Sequence, residues 1–278
     1  MKRNFIIPGL IILLCFNYSN LTSQIVQKDV SELQKIDVIE HLGEKIPLSL
    51  NFTGPKGEEI PLGALFKEGK PVLLTMAYYE CPMLCTFVLN GLSKGIADLD
   101  FLPGEDFQMI TISIDPGETW QLAAGKKANQ TAAVGKSFPE DGWEFLVGPK
   151  ESSERLANAL GFKYYYDEER DEYAHPAVSF VLTEDGMITR YLYGIEYRAQ
   201  DLRLALLEAS EGRIGNTFDK ILLYCYHYDP EAGGYVIFAG NVMRIGGVIT
   251  MILLGGTLGI FWYREVRRRT RTADEKHA

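Results

Sequence analysis

The feature of the sequence that most constrains the fold is an uncharged apolar run that leads into a helical pattern. Residues 71–79 are Pro-Val-Leu-Leu-Thr-Met-Ala-Tyr-Tyr, which is typical of a strand buried on both faces of a sheet. Shortly afterwards, apolar residues recur at helical spacing, namely Val88, Leu89, Leu92, Ile96 and Leu99. We therefore expect a buried strand followed directly by a helix, the beginning of a β-α-β unit.

The same alternation continues along the chain and indicates an α/β fold. We expect further strands at 107–114, 143–147, 177–182 and 188–193, an extended segment at 162–166, and helices at 118–136, 152–160 and 200–210. The last two strands flank an Asp-Gly turn, and a Gly/Pro-rich turn within 48–62 predicts an earlier hairpin. Ser152 or Ser153 is expected to cap the helix at 152–160.

Both ends of the chain have the character of targeting or anchoring segments. Lys2 and Arg3 precede a short apolar run, which predicts a cleaved signal peptide at 1–23. Residues 245–263 carry no charge and predict a transmembrane helix, although a buried core helix is the alternative. The arginines that follow predict a basic cytoplasmic tail at 264–278. We expect a single-pass protein of the cell (inner) membrane, with its functional domain on the periplasmic or extracytoplasmic side.

The segments between these ends divide into three. We expect an irregular leader at 24–44, a folded domain at 45–212 and a juxtamembrane extension at 213–244. The chain has a formal net charge of −9, and because both ends are basic, the exported part is more acidic still. This charge argues against nucleic acid as a partner.

The strongest chemical signal is the motif Cys81-Pro82-Met83-Leu84-Cys85 at the junction of the strand and the helix. Proline is favoured in a first helical turn, which would put Cys81 at the helix N-terminus, where free N–H groups favour the thiolate. Cys85 lies four residues on, so both sulfurs would share one helical face. The pair suits dithiol redox chemistry or a soft metal. A plain structural disulfide, or two small buried residues, is the alternative.

One histidine differs from the other histidines in its position. His41 and His277 lie in polar segments near the ends and are expected to be exposed to solvent. His175 follows an acidic loop and directly precedes the apolar strand at 177–182. A lone histidine before a strand is ordinarily structural, so its position alone leaves both interpretations open.

Several motifs, taken in order, resemble the Sco/SenC family of copper-binding proteins associated with cytochrome c oxidase assembly. They are Cys81-Pro82-x-x-Cys85, Ser113-Ile114-Asp115-Pro116, Trp143-x-Phe145-Leu146-x-Gly148 and His175. The resemblance covers about residues 45–212. It implies a thioredoxin-like fold, here with an N-terminal hairpin extension and a C-terminal transmembrane helix.

The resemblance also implies a metal site. In the family the two cysteines and the histidine bind copper, which carries over to Cys81, Cys85 and His175. The loop that enters the strand after His175 is expected to pass close to the cysteines in such a fold. Two thiolates suit Cu(I), and an added imidazole also accommodates Cu(II). Cys225 and His227 are either an accessory copper site or part of an aromatic segment that packs near the membrane surface.

The leading functional hypothesis is a metallochaperone, not an enzyme, that passes copper to the Cu-A site of cytochrome c oxidase subunit II or to another copper-receiving membrane protein. A membrane-anchored thiol–disulfide oxidoreductase acting on partner cysteines is the alternative. A peroxidase of the peroxiredoxin type would need a threonine three residues before its reactive cysteine, where Tyr78 and Pro82 stand. A purely structural membrane protein would bind no metal.

Overall fold

A computed structural model of the chain describes residues 36–81, 84–211, 226–229, 234–237 and 239–274. The strands within these ranges are β1 (Asp37–Val38), β2 (Asn51–Thr53), β3 (Glu59–Pro61), β4 (Val72–Ala77), β5 (Gln108–Ser113), β6 (Trp143–Leu146), β7 (Phe162–Lys163), β8 (Tyr165–Asp167), β9 (Glu172–Ala174), β10 (Val178–Leu182), β11 (Ile188–Tyr193), β12 (Tyr226–Asp229) and β13 (Gly234–Ile237). The α-helices are α1 (Leu84–Ala97), α2 (Trp120–Val134), α3 (Lys150–Ala159), α4 (Ala199–Ala209) and α5 (Ala239–Asp274).

A five-stranded sheet in the order β11-β10-β4-β5-β6 forms the centre of the fold. The strands β4, β5 and β6 run parallel, whereas β10 is antiparallel to β4 and β11 is antiparallel to β10. Every residue of β4 and of β5 is buried, because a parallel sheet covered on both faces has no solvent side. This arrangement explains the uninterrupted apolar run in the sequence and confirms the predicted α/β, thioredoxin-like fold.

The two faces of the sheet support separate apolar clusters. Leu73 of β4 contributes to the cluster that contains the apolar side chains of α1, α2 and α4, including Leu89. The next residue, Leu74, contributes to the opposite cluster, which contains Leu156 of α3 and Phe52 of β2. Successive strand residues point to opposite faces, so one strand anchors both layers.

The two predicted hairpins are present. Strands β2 and β3 pair antiparallel and form the N-terminal hairpin extension. Strands β10 and β11 pair across the Asp-Gly turn, where Gly186 adopts a φ of +81°, a conformation that side chains with a Cβ rarely adopt.

The predicted cap of the third helix is wrong. Helix α3 begins at Lys150 with Pro149 in the N-cap position, two residues earlier than the predicted start at residue 152. Ser153 is fully buried, and its hydroxyl donates to the carbonyl of Ser113, 3.0 Å away. Proline is well suited to a helix start because it has no N–H to leave unpaired, and serine is consequently free to bond elsewhere.

The C-terminal part packs on the domain before it enters a long helix. Strands β12 and β13 form a hairpin whose Tyr228 and Tyr235 are buried, and the Tyr228 hydroxyl donates to the carbonyl of Tyr191 at 2.7 Å. Helix α5 contains a 25-residue segment, Gly240–Arg264, that is apolar and long enough to cross a membrane. It is a candidate transmembrane span and includes the predicted 245–263. The predicted signal peptide lies outside the described residues, and the remaining domain boundaries stay predictions.

Candidate metal centre

The two cysteines lie at the carboxyl end of β4, where the chain turns into α1. The helix begins at Leu84, so Cys85 is in its first turn and Cys81 precedes it by three residues. Cys81 thus lies next to the helix N-terminus, as predicted, although the helix itself does not include it. Cys81 nevertheless uses the helix terminus, because the backbone N–H of Cys85 donates to its sulfur at 3.3 Å. Both residues are thiols rather than half-cystines and are buried.

The second sulfur also accepts a backbone hydrogen bond. The N–H of Tyr78, just after β4, donates to Sγ of Cys85 at 3.4 Å. Hydrogen bonds from amides stabilise the thiolate form of a cysteine, which is the form that binds metals. The local backbone thus offers one N–H to each sulfur.

Strand pairing brings His175 to these sulfurs. Strand β10 is antiparallel to β4, with Ser179 opposite Thr75, so the residues that precede β10 lie at the same end as those that follow β4. The imidazole of His175 is 5% exposed, and its Nε2 lies 2.8 Å from Sγ of Cys85. One ligand atom from each of Cys81, Cys85 and His175 falls within 4.8 Å of the other two. The predicted residues therefore lie together, while their role as ligands remains a prediction.

A hydrogen bond at the far side of the ring sets the tautomer of His175. Its Nδ1 lies 3.0 Å from the carbonyl oxygen of Pro176. A carbonyl can only accept, so Nδ1 carries the proton, and in the neutral ring the lone pair of Nε2 accepts a hydrogen bond from the thiol of Cys85. A partner on the other ring nitrogen is typical of metal-binding histidines, and the sequence did not reveal which residue provides it. The peptide bond between His175 and Pro176 is trans.

Burial dominates the electrostatics of the pair. It raises the pKa of the Cys85 thiol far above the ordinary value, and the neighbouring Cys81 raises it further, while the amide of Tyr78 acts in the opposite direction. Burial likewise raises the pKa of the Tyr78 phenol, with Cys81 adding to the shift. Two buried sulfurs close together disfavour negative charge, and a bound cation would supply the missing positive charge.

Aromatic side chains enclose the imidazole. The rings of Tyr78 and Phe162 have their centroids 6.1 Å and 6.0 Å from that of His175. Tyr173, from β9, lies 5.7 Å from Tyr78 and extends this wall. The sequence alone did not single out these residues, although aromatic side chains are concentrated at 162–166 and Tyr173 stands two residues before His175. Such a wall excludes water and holds the ring in one orientation.

A buried carboxylate beneath the cysteine loop was not singled out from the sequence either. Glu118 accepts hydrogen bonds from the backbone N–H groups of Tyr79 and Glu80, at 2.5 Å and 2.8 Å. It also accepts one from the hydroxyl of Ser113 at 2.5 Å. Glu118 stands two residues after the Ser113-Ile114-Asp115-Pro116 motif, which was the available signal, but only the folded chain shows what it contacts.

Among the residues that the structure describes, none of the other sequence candidates is grouped with these three ligand atoms. His41 is half-buried rather than exposed, with Nδ1 3.0 Å from the carbonyl of Ala159, so that expectation is wrong. Cys225 and His277 lie outside the described residues. His227 belongs to β12, but its side chain is not described, and an accessory site with Cys225 stays a prediction. The aromatic segment around it packs into the domain through Tyr228.

Taken together, the donor set can hold a soft or borderline metal ion. Two thiols become soft thiolate ligands once deprotonated, and a neutral imidazole is borderline. The three atoms are close enough to bind one ion after small side-chain adjustments. The two sulfurs alone can also form or break a disulfide after similar movement.

The region that contains these three residues matches a known protein family. The sequence profile of the SCO1/SenC family matches residues 51–206, which include both cysteines and His175. No curated protein sequence matches the chain. Among solved structures, the chain is similar to a candidate electron transfer protein from Aquifex aeolicus VF5, with 27% identity over 60% of this chain and 94% of that chain, and a TM-score of 0.54.

Two further structures are similar in fold. A candidate electron transport protein from Aquifex aeolicus VF5 is 26% identical over 60% of this chain and 98% of that chain, with a TM-score of 0.51. Copper-bound ScoI of Arabidopsis thaliana is 19% identical over 58% of this chain and 96% of that chain, with a TM-score of 0.47. The family profile matches more than half of this chain, and the chain therefore belongs to the SCO1/SenC family.

Proposed function

We propose that the chain is a copper metallochaperone that delivers copper to the Cu-A site of cytochrome c oxidase during assembly. The observation that carries the proposal is the meeting of Cys81, Cys85 and His175 within 4.8 Å, although 90 residues separate Cys85 from His175 in the chain. Membership of a family associated with oxidase assembly supports the same function.

The donor chemistry suits copper in particular. Thiolates are soft ligands that favour Cu(I), and an added imidazole allows Cu(II) to be held as well. A site that accommodates both oxidation states suits a carrier, which must accept copper and release it. Zinc also binds thiolates and imidazole, so a direct comparison of copper with zinc belongs in the test.

Transfer would proceed by exchange of ligands with the recipient. Cys81 is 8% exposed and Cys85 is 0% exposed, so a partner's ligand reaches the metal most easily beside Cys81. The recipient we propose is cytochrome c oxidase subunit II or another copper-receiving membrane protein. The apolar segment Gly240–Arg264, followed by arginines, supports a single-pass anchor in the inner membrane with the copper domain on the extracytoplasmic side.

The proposal is tested by measuring copper binding to the full-length protein in detergent. His175→Ala should abolish the sulfur-to-Cu(II) charge-transfer band and weaken Cu(II) binding by at least about 100-fold. Removing a residue that only supports a ligand costs up to about 100-fold in affinity, and removing the ligand itself should cost no less. His41→Ala is the matched control and should bind as the wild type does, because its ring contacts the carbonyl of Ala159 instead. Unchanged copper stoichiometry and affinity in His175→Ala would contradict a three-ligand site.

Delivery is tested separately. Copper-loaded protein is mixed with the metal-free soluble domain of an oxidase subunit II, and the absorption of the binuclear Cu-A centre is followed. We expect copper to move to the recipient from the wild type and not from Cys81→Ser. A protein that binds copper tightly but never releases it to this recipient would refute the delivery step and leave copper storage as the function.

A thiol–disulfide oxidoreductase is the second candidate, because the two sulfurs lie close together and differ in exposure. In that function Cys81 would attack a partner disulfide, and Cys85 would then displace the partner's sulfur, leaving an oxidised pair and a reduced partner. Exchange activity that persists in His175→Ala and does not respond to copper would favour this function over the first.

A further inference from the structure

We propose that Glu118 is a positioning residue for the metal centre, one that presets both sulfurs by fixing the backbone of the loop 78–81. This inference rests on the proposed copper function, because it concerns how the same three residues are held. This role would explain the position of Glu118 just after the Ser113-Ile114-Asp115-Pro116 motif. That segment contains none of the proposed ligands.

Three successive backbone N–H groups of the loop 78–81 donate to side chains of the centre or its support. The N–H of Tyr78 donates to Sγ of Cys85, whereas those of Tyr79 and Glu80 both donate to Oε1 of Glu118. One carboxylate oxygen therefore holds two consecutive peptide groups, with Cys81 as the next residue. If this part of the loop rotated, the Cys81 side chain would move and the Tyr78 amide would leave the Cys85 sulfur.

Glu118 is itself firmly held. It is 9% exposed, and its second oxygen accepts from the hydroxyl of Ser113, the last residue of β5. Burying a carboxyl group is costly unless it is hydrogen-bonded, and three donors offset that cost here. The loop is thus attached to the central sheet through Glu118 and Ser113.

A second contact acts on the same peptide from the other side. Nζ of Lys126, on α2, donates to the carbonyl of Tyr79 at 3.0 Å. The N–H and the carbonyl of Tyr79 are consequently both held by side chains, one before α2 and one within it. A loop fixed at both groups keeps its shape before any metal arrives, which reduces the ordering that binding requires.

Substitutions at this position separate geometry from charge. Glu118→Ala removes the acceptor of both amides and should weaken copper binding by about 10- to 100-fold, the loss typical of residues that orient metal ligands. Glu118→Gln keeps an oxygen for both amides, and its amide group can donate to the Ser113 hydroxyl. We therefore expect Glu118→Gln to restore the affinity and the charge-transfer spectrum of the wild type.

The matched control is Asp106→Ala. Asp106 also accepts a backbone N–H, from Leu102 at 2.8 Å, but it precedes β5 and so lies at the opposite end of the sheet from the cysteines. Its removal should leave copper binding unchanged. All variants are compared as full-length protein in detergent, with circular dichroism to verify the fold.

Two readouts are needed. The first is copper affinity with the sulfur-to-Cu(II) charge-transfer band. The second needs no metal: it is the reduction potential of the Cys81–Cys85 pair, which depends on how the two sulfurs are presented and should shift more in Glu118→Ala than in Glu118→Gln, where only the charge of the carboxylate is lost. Wild-type protein that binds no copper would refute the copper function, while the potentials would still decide the role of Glu118.

Three results would overturn the inference. They are an unchanged affinity and potential in Glu118→Ala, a Glu118→Gln variant as impaired as Glu118→Ala, and an equal loss in Asp106→Ala. If Glu118→Ala does not fold, Ser113→Ala replaces it, since it removes only one donor to the carboxylate. A potential in Ser113→Ala that differs from that of the wild type supports the inference, and an unchanged potential contradicts it.

Discussion

A largely, but not fully, buried ion pair holds helix α2, which carries Lys126, against the edge of the central sheet. Nζ of Lys127 lies 2.9 Å from a carboxylate oxygen of Glu144 on β6, and each side chain is only 13% exposed. The variant Lys127→Met keeps a side chain of similar length and removes the charge. It leaves Glu144 buried without this cation, so we expect a marked loss of stability.

The size of the loss follows from the geometry. At an effective dielectric constant of about 20, two charges this close attract by about 6 kcal/mol before the cost of desolvation. Breaking a buried pair by removing one partner costs about 3–5 kcal/mol. Both side chains retain some contact with water, so we expect the low end, about 3 kcal/mol at pH 7. For a domain of this size that lowers Tm by about 6–12 °C.

The loss should also depend on pH. Burial raises the pKa of Glu144 and Lys127 opposes this shift, so removing Lys127 raises the pKa further. A carboxyl group with a pKa raised by folding favours the folded state most when it is protonated, and this contribution is lost as pH rises through the raised pKa. The deficit of Lys127→Met should therefore shrink on acidification and become small below pH 4.5, the ordinary pKa of the group.

Thermal unfolding of the full-length protein in detergent, followed by circular dichroism between pH 4 and pH 8, measures this effect. Lys150→Met is the control, since the pair of Lys150 with Glu154 is exposed at 3.7 Å and should contribute less than about 1 kcal/mol. Adding Glu144→Gln to Lys127→Met should recover most of the stability. A Lys127→Met deficit below about 1 kcal/mol, or one that does not change with pH, would refute the reasoning.

Two further predictions concern the cysteines and the packing of α1. Cys81, 8% exposed, should react with iodoacetamide at least about tenfold faster than the fully buried Cys85, whose thiol pKa is raised by burial; mass-spectrometric mapping that finds Cys85 modified first would contradict this. Gly91→Ala should destabilise the protein by about 1–3 kcal/mol in the same unfolding assay, because the new Cβ would lie 2.0 Å from the carbonyl oxygen of Ile195. In Gly125→Ala the new Cβ meets nothing within 4 Å, so this variant should be more stable by up to about 1 kcal/mol. Equal effects of the two alanines would argue against this contact.

The central fold could be predicted because its elements depend on local patterns. The uncharged run at 71–79 matches a strand covered on both faces, and Leu89 and Leu92 lie on the helix face that packs against it. The start of α3 was misplaced because two serines resemble caps, whereas the chain uses Pro149 and buries Ser153. Capping depends on which partner a hydroxyl finds, and that partner, the carbonyl of Ser113, is 40 residues away.

The sequence could predict that the three residues lie together, but not which groups hold them in place. The cysteine motif and His175 were recognised from spacing and family resemblance, and antiparallel pairing of β10 with β4 brings them together. Glu118 and the Pro176 carbonyl escaped notice because each acts through the backbone. Backbone hydrogen bonds leave no characteristic side-chain pattern, so such residues appear only when the loop conformation is known.

The hairpin of β12 and β13 limits the distance between the folded domain and helix α5. Tyr228 and Tyr235 are buried in the domain, and only residue 238 separates the end of β13 from the start of α5. One residue spans at most about 3.6 Å, so no long stalk joins the two. With α5 in a membrane, as we propose, this short linker keeps the domain close to the lipid surface. If the chain delivers copper as we propose, its recipient must hold the receiving copper site close to that surface, and a soluble recipient would reach the donor less easily.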